Sequence, residues 1–145
     1  MAAKFKFFDH TADAKFQAFG KTLNETFANA AIATYEIITE TKKIKPKLKK
    51  ELTIHAAQKR SLLYDFLEEL IFLTDTQGFL LKKATNVKIK EIKKDNKREF
   101  KLTATLIGDN AKGYELKTQV KAVTYSDMFI KEAKDKVVVQ VVLDI

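Results

Sequence analysis

The sequence predicts an α+β fold in which two amphipathic helices pack on a mixed or antiparallel β-sheet. Apolar residues recur with helical spacing in two stretches, around residues 22–39 and 61–77. The stretches before, between and after them alternate apolar and polar residues with the period of a strand. Because this alternation continues to the last residue, we expect a strand-rich C-terminal half, as in α+β proteins.

Two strands and the first helix form the N-terminal part. KFKFFDH and AKFQAFG set aromatic or small residues against polar ones, which is typical of half-buried strands. Gly20 closes the second strand, and Thr22 with Glu25 makes a capping-box pattern, so a helix is expected from there to about Thr39. Its inward face comprises Leu23, Phe27, Ala30, Ala31, Thr34 and Ile38.

The second helix follows a lysine-rich connection and a third strand. TKKIKPKLKK carries six lysines and the only proline and lacks apolar periodicity, so we expect a solvated loop whose lysines could also touch phosphate. ELTIHAA alternates as a strand and turns His55 to solvent or to a neighbouring layer. The helix then starts near Ser61 and stops at Gly78. Its apolar face comprises Leu63, Phe66, Leu67, Leu70 and Ile71.

Strand patterns fill the rest of the chain. The six candidate strands are FLLKK, TNVKIKEI, REFKLTATLIG, YELKTQVKAVT, DMFIKEA and KVVVQVVLDI. Turns are expected at Asp95-Asn96 and at Gly113. The chain has no internal repeat, and its 145 residues suit one hydrophobic core. We therefore expect a single domain over residues 1–145.

Composition indicates a globular protein in water. Its positive net charge raises the possibility of an anionic partner. The chain has no long apolar run, no signal-peptide pattern and no cysteine, so a cytoplasmic location without disulfides or membrane spans is expected. The formal net charge of +8 suggests an RNA partner. Only Arg60 and Arg98 of the 27 basic residues are arginine, however, and lysines often serve as plain solvated surface. A weak tRNA or RNA contact stays open beside that alternative.

Two short stretches carry polar groups that the fold does not require. FFDHTADAKF places two aspartates and a histidine between the first two strands, although a tight turn needs neither a histidine nor a second aspartate. At VVLDI, an apolar strand delivers Asp144 beside the free carboxylate of Ile145. Like charges held close repel unless a cation neutralises them, so a divalent ion with oxygen ligands is one hypothesis, with Asp13 as a third ligand. Separate hydration of these groups is the alternative.

Other chemistries lack a motif. GxxxxGK[ST] and GxSxG are absent, the four glycines are scattered, and the two histidines do not have zinc-site spacing. RNA-recognition aromatics in an RNP pattern are missing as well. A self-contained nucleotide enzyme is therefore not expected.

Four ordered segments resemble the archease family across nearly the entire chain. The segments are FFDHTADAKF, LLYDFLEELIFLTDTQG, VKAVTYSDM and VQVVLDI. The resemblance implies an accessory protein and not an enzyme. Its partner would be the GTP-dependent RNA ligase that joins a 2′,3′-cyclic phosphate or 3′-phosphate to a 5′-hydroxyl, as in tRNA splicing and RNA repair. The accessory protein would promote guanylylation of the ligase and its multiple turnover.

The resemblance also implies the site residues. The metal ligands that carry over are Asp13, Asp144 and Ile145 through its backbone carboxylate. The divalent cation would be Ca²⁺, Mg²⁺ or Mn²⁺. The residues that would orient Asp13 or contact the ligase and its nucleotide are Asp9, His10, Thr11 and Lys121.

Two other classes of function stay open. Net charge, together with the family's looser association with chaperone behaviour, supports a stand-alone RNA-binding or chaperone-like module. A metal-dependent hydrolase is the third possibility. Many archeases look acidic, whereas this chain is +8, so either lysines coat an unchanged site or this homologue also binds RNA directly.

Overall fold

The computed structural model describes residues 3–9 and 13–145, which form two helices and two antiparallel sheets. The elements are β1 (Phe5–Phe8), β2 (Asp13–Gly20), α1 (Leu23–Ile38), a 3₁₀-helix (Thr41–Lys43), β3 (Leu48–Ala56), α2 (Lys59–Gln77), β4 (Phe79–Lys94), β5 (Lys97–Asn110), β6 (Ala122–Ala133) and β7 (Lys136–Asp144). The four-stranded sheet has the order β1-β2-β7-β6, and the three-stranded sheet has the order β3-β5-β4. The predicted α+β class with two helices and antiparallel sheets is confirmed.

Both helices begin or end at the signals that the sequence contains. The hydroxyl oxygen of Thr22 accepts a hydrogen bond from the Glu25 backbone N–H (3.1 Å) at the start of α1. At the end of α2, Gly78 adopts a left-handed conformation with φ of 65°, which glycine reaches without the steric cost that a Cβ adds. Its N–H donates to the Thr74 carbonyl oxygen (3.0 Å).

The helices share the interior with both sheets. α1 contacts β2 and β7 of the four-stranded sheet and β4 of the three-stranded sheet. α2 contacts β6 of the first sheet and all three strands of the second. The stacked rings of Phe27 and Phe66, with centroids 6.2 Å apart, join the two helices where both side chains are fully buried. One core cluster therefore includes residues from both halves of the chain.

Left-handed residues mark the turns and bulges of the sheets. Asp95 and Asn96 have φ of 52° and 63°, the conformation of a two-residue hairpin turn, so the turn predicted there is confirmed. β6 pairs with β7 on both sides of a register shift between Thr124 and Phe129, and Asp127 inside this bulge has φ of 53°. A bulge lets part of a strand leave the ladder and re-aim its side chains.

The prediction that YELKTQVKAVT is a strand is wrong for most of its length. Residues 114–121 are irregular, and β6 starts only at Ala122. The backbone N–H of Lys117 donates to the carbonyl oxygen of Ile38 (2.7 Å), and the Thr39 hydroxyl donates to the Glu115 carbonyl oxygen (2.7 Å). The segment thus forms hydrogen bonds with the C-terminal end of α1, where helix carbonyl groups lack helical partners.

The lysine-rich connection between α1 and β3 is shorter than expected. Lys42 and Lys43 belong to the 3₁₀-helix, and β3 already begins at Leu48. Ile44 is buried with 1% exposure, so it anchors this lysine-rich segment to the core. Within the described residues, no helix is both long and apolar enough to span a membrane.

Tyr35 is the largest fully buried side chain, and its hydroxyl links the two helices. The hydroxyl donates to the Leu70 carbonyl oxygen (2.8 Å) and lies 2.6 Å from the Thr74 hydroxyl. Burial raises the pKa of Tyr35 above its ordinary value, with a smaller contribution from the charge of Asp75 and an opposing one from the Thr74 hydrogen bond. Ionisation of Tyr35 therefore opposes folding.

We expect Tyr35→Phe to lower the free energy of unfolding by about 1 kcal/mol at neutral pH, because the buried hydrogen bonds between the helices are lost. In a chain of this size the corresponding fall in melting temperature is roughly 2–4 °C. Circular dichroism during heating measures it. The exposed Tyr125, changed to phenylalanine, is the matched control and should leave the melting temperature unchanged.

The same variant tests the pH dependence. Since the pKa of Tyr35 is higher in the folded state than the ordinary value of 10.0, its contribution to stability is complete below pH 10 and falls as pH rises beyond it. The stability difference between wild type and Tyr35→Phe should therefore shrink above pH 10. A difference that stayed constant to alkaline pH would contradict the assigned burial effect.

Candidate functional site

The pairing of β2 with β7 places two predicted site residues opposite each other. Asp13 and Asp144 are Cα partners in the antiparallel register, so their side chains leave the same face of the sheet with Cβ atoms roughly 5 Å apart. The next pair, Ala14 and Leu143, points to the other face, and Leu143 is fully buried there. The core therefore sends both carboxylates away from the interior.

The start of β6 brings one more predicted residue, Lys121, to the same end of the sheet. Ala122 is the Cα partner of Asp144 on the other side of β7. The backbone N–H of Lys121 donates to the Asp144 carbonyl oxygen (2.7 Å), which places Lys121 beside the segment that ends at Ile145. Four of the predicted site residues thus meet at this end, which we call the acidic end: Asp13, Lys121, Asp144 and Ile145.

Asp9 lies at the acidic end as well. Phe8 pairs with Lys15, so the exposed Asp9 directly follows the last strand pair on this side. The other two predicted supporting residues, His10 and Thr11, lie outside the described residues. Their role in orienting Asp13 stays a prediction.

A hydrogen-bonded row continues from the acidic end along the outer face of the sheet. Lys15, two residues from Asp13 on the same face, has its ammonium 3.9 Å from a carboxylate oxygen of Asp127. Next in the row, the Gln17 amide donates to the Gln140 side-chain oxygen (2.9 Å), and the Gln140 amide donates to the Asp127 carbonyl oxygen (2.8 Å). The β6 bulge is therefore tied across the face, and its carboxylate partners the nearby lysine.

Glu68 of α2 contacts the start of β6, a contact that the sequence did not predict. Its carboxylate accepts a hydrogen bond from the Val123 backbone N–H (3.1 Å). This contact joins α2 to the start of β6, two residues after Lys121. The local sequence contains no signal for it, because residues 68 and 123 meet only in the folded chain.

Two tyrosines and an arginine brace the β6 bulge against α2. The rings of Tyr64 and Tyr125 stack with centroids 4.2 Å apart, and the Arg60 guanidinium lies 5.5 Å from the centre of the Tyr125 ring. Burial raises the pKa of Tyr125, and the charge of Asp65 adds to this while Arg60 opposes it. Stacking and cation–π attraction together stabilise the bulge.

The acidic end offers oxygen donors of the kind that hard divalent ions take. Within residues 3–9 and 13–145, no cluster of three or more His, Cys, Asp or Glu side chains could hold a metal ion. Asp13 and Asp144 provide two carboxylates, and a cation here would need a further oxygen ligand, for example a main-chain group at Ile145. The donor chemistry fits a divalent cation, and the ligand set predicted from the sequence includes one such main-chain group.

Known proteins resemble this chain over almost its whole length. A model described as the archease protein family matches residues 5–145. The relative named protein archease from Methanothermobacter thermautotrophicus is 39% identical over 142 residues, covering 97% of this chain and 98% of the relative. The protein archease of Methanosarcina barkeri is 36% identical over 144 residues, covering 98% and 96%.

Two solved structures have a similar fold. The solution structure of Methanobacterium thermoautotrophicum protein 1598 matches with a TM-score of 0.79 and 37% identity, covering 98% of this chain and 99% of that one. The crystal structure of an archease, possible chaperone, from Thermotoga maritima matches with a TM-score of 0.56 and 23% identity, covering 97% and 96%. At that identity the second match supports the fold alone.

We expect Glu68→Ala to loosen the start of β6, because the Val123 N–H loses its carboxylate partner. A loss of about 1 kcal/mol in local stability corresponds to roughly fivefold faster exchange of this amide hydrogen. Hydrogen exchange followed by NMR measures it. Glu68→Gln keeps an acceptor oxygen and should exchange more slowly than the alanine variant, and Glu69→Ala is the matched control on the neighbouring helix position. Equal exchange in all three variants would contradict the bracing role.

Proposed function

Because this chain belongs to the archease family, we propose that it is an accessory protein that activates a GTP-dependent RNA ligase of the 3′-phosphate/5′-hydroxyl type. The activation would consist of promoting guanylylation of the ligase and its multiple turnover. The observation that carries the proposal is the Asp13–Asp144 pairing beside Ile145 and Lys121. It brings together four of the residues that the family resemblance implies, Asp13 from near the start of the sequence and Lys121, Asp144 and Ile145 from near its end.

Three of the four glycines have structural roles in the fold. Gly20 ends a strand, Gly78 ends a helix, and Gly108 lies inside β5, where an added Cβ would collide with the Leu80 carbonyl oxygen. These three positions serve the packing and the chain direction. None of them belongs to a phosphate-binding loop of the GxxxxGK[ST] type, which the sequence lacks. Family membership agrees with the expectation that this protein is not an enzyme.

In this proposal the acidic end holds a divalent cation through Asp13, Asp144 and the backbone carboxylate of Ile145. The ion would be Ca²⁺, Mg²⁺ or Mn²⁺, and it would supply positive charge against the phosphates of a nucleotide in the ligase. The two aspartates leave the sheet on one face, and Asp144 is exposed, so the partner can approach this end directly. Lys121 would contact the ligase or its nucleotide.

The ordered sheet gives this end a fixed geometry. Asp144 is held on one side by β2 and on the other by β6, so its main chain cannot shift without breaking both ladders. Such pre-positioning lowers the entropy lost when a ligand binds. Asp9, His10 and Thr11 would complete the support of Asp13.

A chaperone-like role, one of the alternatives that the sequence left open, has weaker support. The large hydrophobic side chains that are exposed lie on separate elements of the described chain, including Phe7 on β1, Phe72 on α2 and Leu116 in the connection before β6. Single exposed apolar residues are normal on globular proteins. The Thermotoga maritima protein is called a possible chaperone. For the present chain, a chaperone-like role needs a measurement of its own.

We expect Asp13→Asn and Asp144→Asn each to reduce stimulation of the purified ligase by at least tenfold, because each removes one anionic ligand. Yield of guanylylated ligase from labelled GTP, and the number of RNA joins per ligase, measure the effect. Asp135→Asn is the matched control at the opposite end of β7, in the β6–β7 turn, where φ of 60° suits asparagine. Full stimulation by both site variants would reject the proposed role of the carboxylates.

Cation binding is tested separately from ligase activation. A ligand present at a hundredfold its dissociation constant stabilises the folded state by about 2.7 kcal/mol, which should raise the melting temperature by several degrees. We expect this rise with at least one of Ca²⁺, Mg²⁺ and Mn²⁺ relative to EDTA. Asp144→Asn should abolish it and Asp135→Asn should keep it. An equal rise in both variants would place the ion elsewhere.

A further inference from the structure

A pocket formed by residues 39–47 and 109–117 is lined by lysines. It has a volume of about 600 Å³ and lies among the end of α1, the segment that follows it, the end of β5 and the irregular connection to β6. Its lysines are Lys43, Lys45, Lys47, Lys112 and Lys117. We call this the basic pocket.

Hydrogen bonds hold the walls of the basic pocket together. The backbone N–H of Lys45 donates to the Tyr114 hydroxyl oxygen (3.0 Å), and that hydroxyl donates to the Asp109 carboxylate (2.6 Å). The backbone N–H of Lys112 donates to the Asn110 side-chain oxygen (2.9 Å). Together with the Lys117 bond to Ile38, these contacts fix lysines from separate segments around one cavity.

The lysines of the pocket outnumber its carboxylates by two. Five lysines face three carboxylates, and Glu40 forms an ion pair with Lys43 (3.4 Å). Asp109 is hydrogen-bonded to Tyr114, which lowers the pKa of Asp109 below its ordinary value, and the Asn110 N–H and the nearby charges of Lys47 and Lys45 act in the same direction.

The other four lysines of the pocket form no ion pair within the described part of the chain. These residues are Lys45, Lys47, Lys112 and Lys117. Ammonium groups gathered around one concavity repel one another unless an anion enters, and they raise the local concentration of anions.

The chemistry of the lining favours phosphate groups over an acidic protein. Tyr114 is the only large apolar or aromatic residue in the lining, whereas a protein partner needs an apolar contact core. Lysine binds phosphate as a point charge, and contacts to phosphate carry no sequence information. The lysines lie on several walls of the pocket, so one phosphate group cannot contact all of them. A nucleic-acid strand presents phosphates at regular intervals and can contact several lysines at once.

We infer that the basic pocket binds the phosphate backbone of a single-stranded RNA, independently of its sequence and independently of ligase activation. The connection that carries Lys112 and Lys117 leads within four residues to Lys121 at the acidic end. Four residues span at most about 14 Å. An RNA strand held in the pocket therefore lies close to the candidate cation site on the same protein.

The test measures RNA binding without any ligase. A fluorescein-labelled single-stranded 12-mer of mixed sequence is titrated with the full chain between 50 and 200 mM salt, and anisotropy gives the affinity. Each phosphate contact on a single strand contributes about 0.7 to the slope of log affinity against log salt. Lys45→Gln, Lys47→Gln and Lys112→Gln combined should reduce this slope by about 2 and weaken binding at least tenfold.

The matched control removes the same charge from the three-stranded sheet. Lys88, Lys90 and Lys94, changed together to glutamine, are exposed on β4 and should leave the affinity within about twofold. Equal weakening by both triple variants would mean general attraction to a basic surface and would overturn the inference. So would absence of RNA binding by the wild type, or binding of inorganic tripolyphosphate in preference to the RNA. Retention of the wild-type melting temperature by both variants shows that they are folded.

Discussion

The antiparallel pairing of β2 with β7 is the constraint on which the rest of this molecule depends. Its register runs without interruption from Asp13 opposite Asp144 to Gly20 opposite Val137. On the buried face it sets Phe16 against Val141, and both side chains are fully buried. A slip of one residue would turn Phe16 to the other face. The cost of exposing this ring, about 2 kcal/mol or more, therefore also fixes where the two carboxylates stand.

The position of β7 inside the sheet extends this constraint to the acidic end. β7 has β2 on one side and β6 on the other, so its residues up to Asp144 are held by two ladders. Glu68 of α2 then fixes the start of β6 through Val123. Hydrogen bonds therefore connect α2 to β6, and β6 to the acidic end.

Local patterns in the sequence predicted the parts of the fold that are decided locally. The Thr22 cap, the stop at Gly78 and the hairpin turn at Asp95 depend on neighbouring residues, and all three occur. Residues 114–121 alternate like a strand, yet they bond to the end of α1 instead. Alternation specifies a conformation only when a neighbouring strand is available, and partner choice is a property of the whole fold.

Charge in the sequence suggests a cation site at Asp13, Asp144 and Ile145 as one of two alternatives, and the family resemblance favours it over separate hydration. Spacing alone left a carboxylate pair near residue 13 and another at the last two residues, separated by almost the whole chain. No periodicity says that these meet, because strand order is set by packing of both sheets on the helices. The contact of Glu68 with the β6 backbone and the closure of the basic pocket by Tyr114 have the same origin, since both join residues more than fifty positions apart.

Two charge clusters of opposite sign can coexist in one small protein only if neither neutralises the other. A lysine within 4 Å of a carboxylate would form an internal ion pair and weaken the attraction of both groups for outside ions, whereas charges beyond about 8 Å are largely screened at physiological salt. The connection of residues 111–121 is tied at Lys117 to α1 and at Lys121 to β7. Because each end is fixed by a different element, the lysines of the basic pocket and the carboxylates of the acidic end are held at separate anchors. Residues 114–121 are irregular and not a strand. This irregular backbone allows one segment to contribute to the basic pocket and also to reach the acidic end.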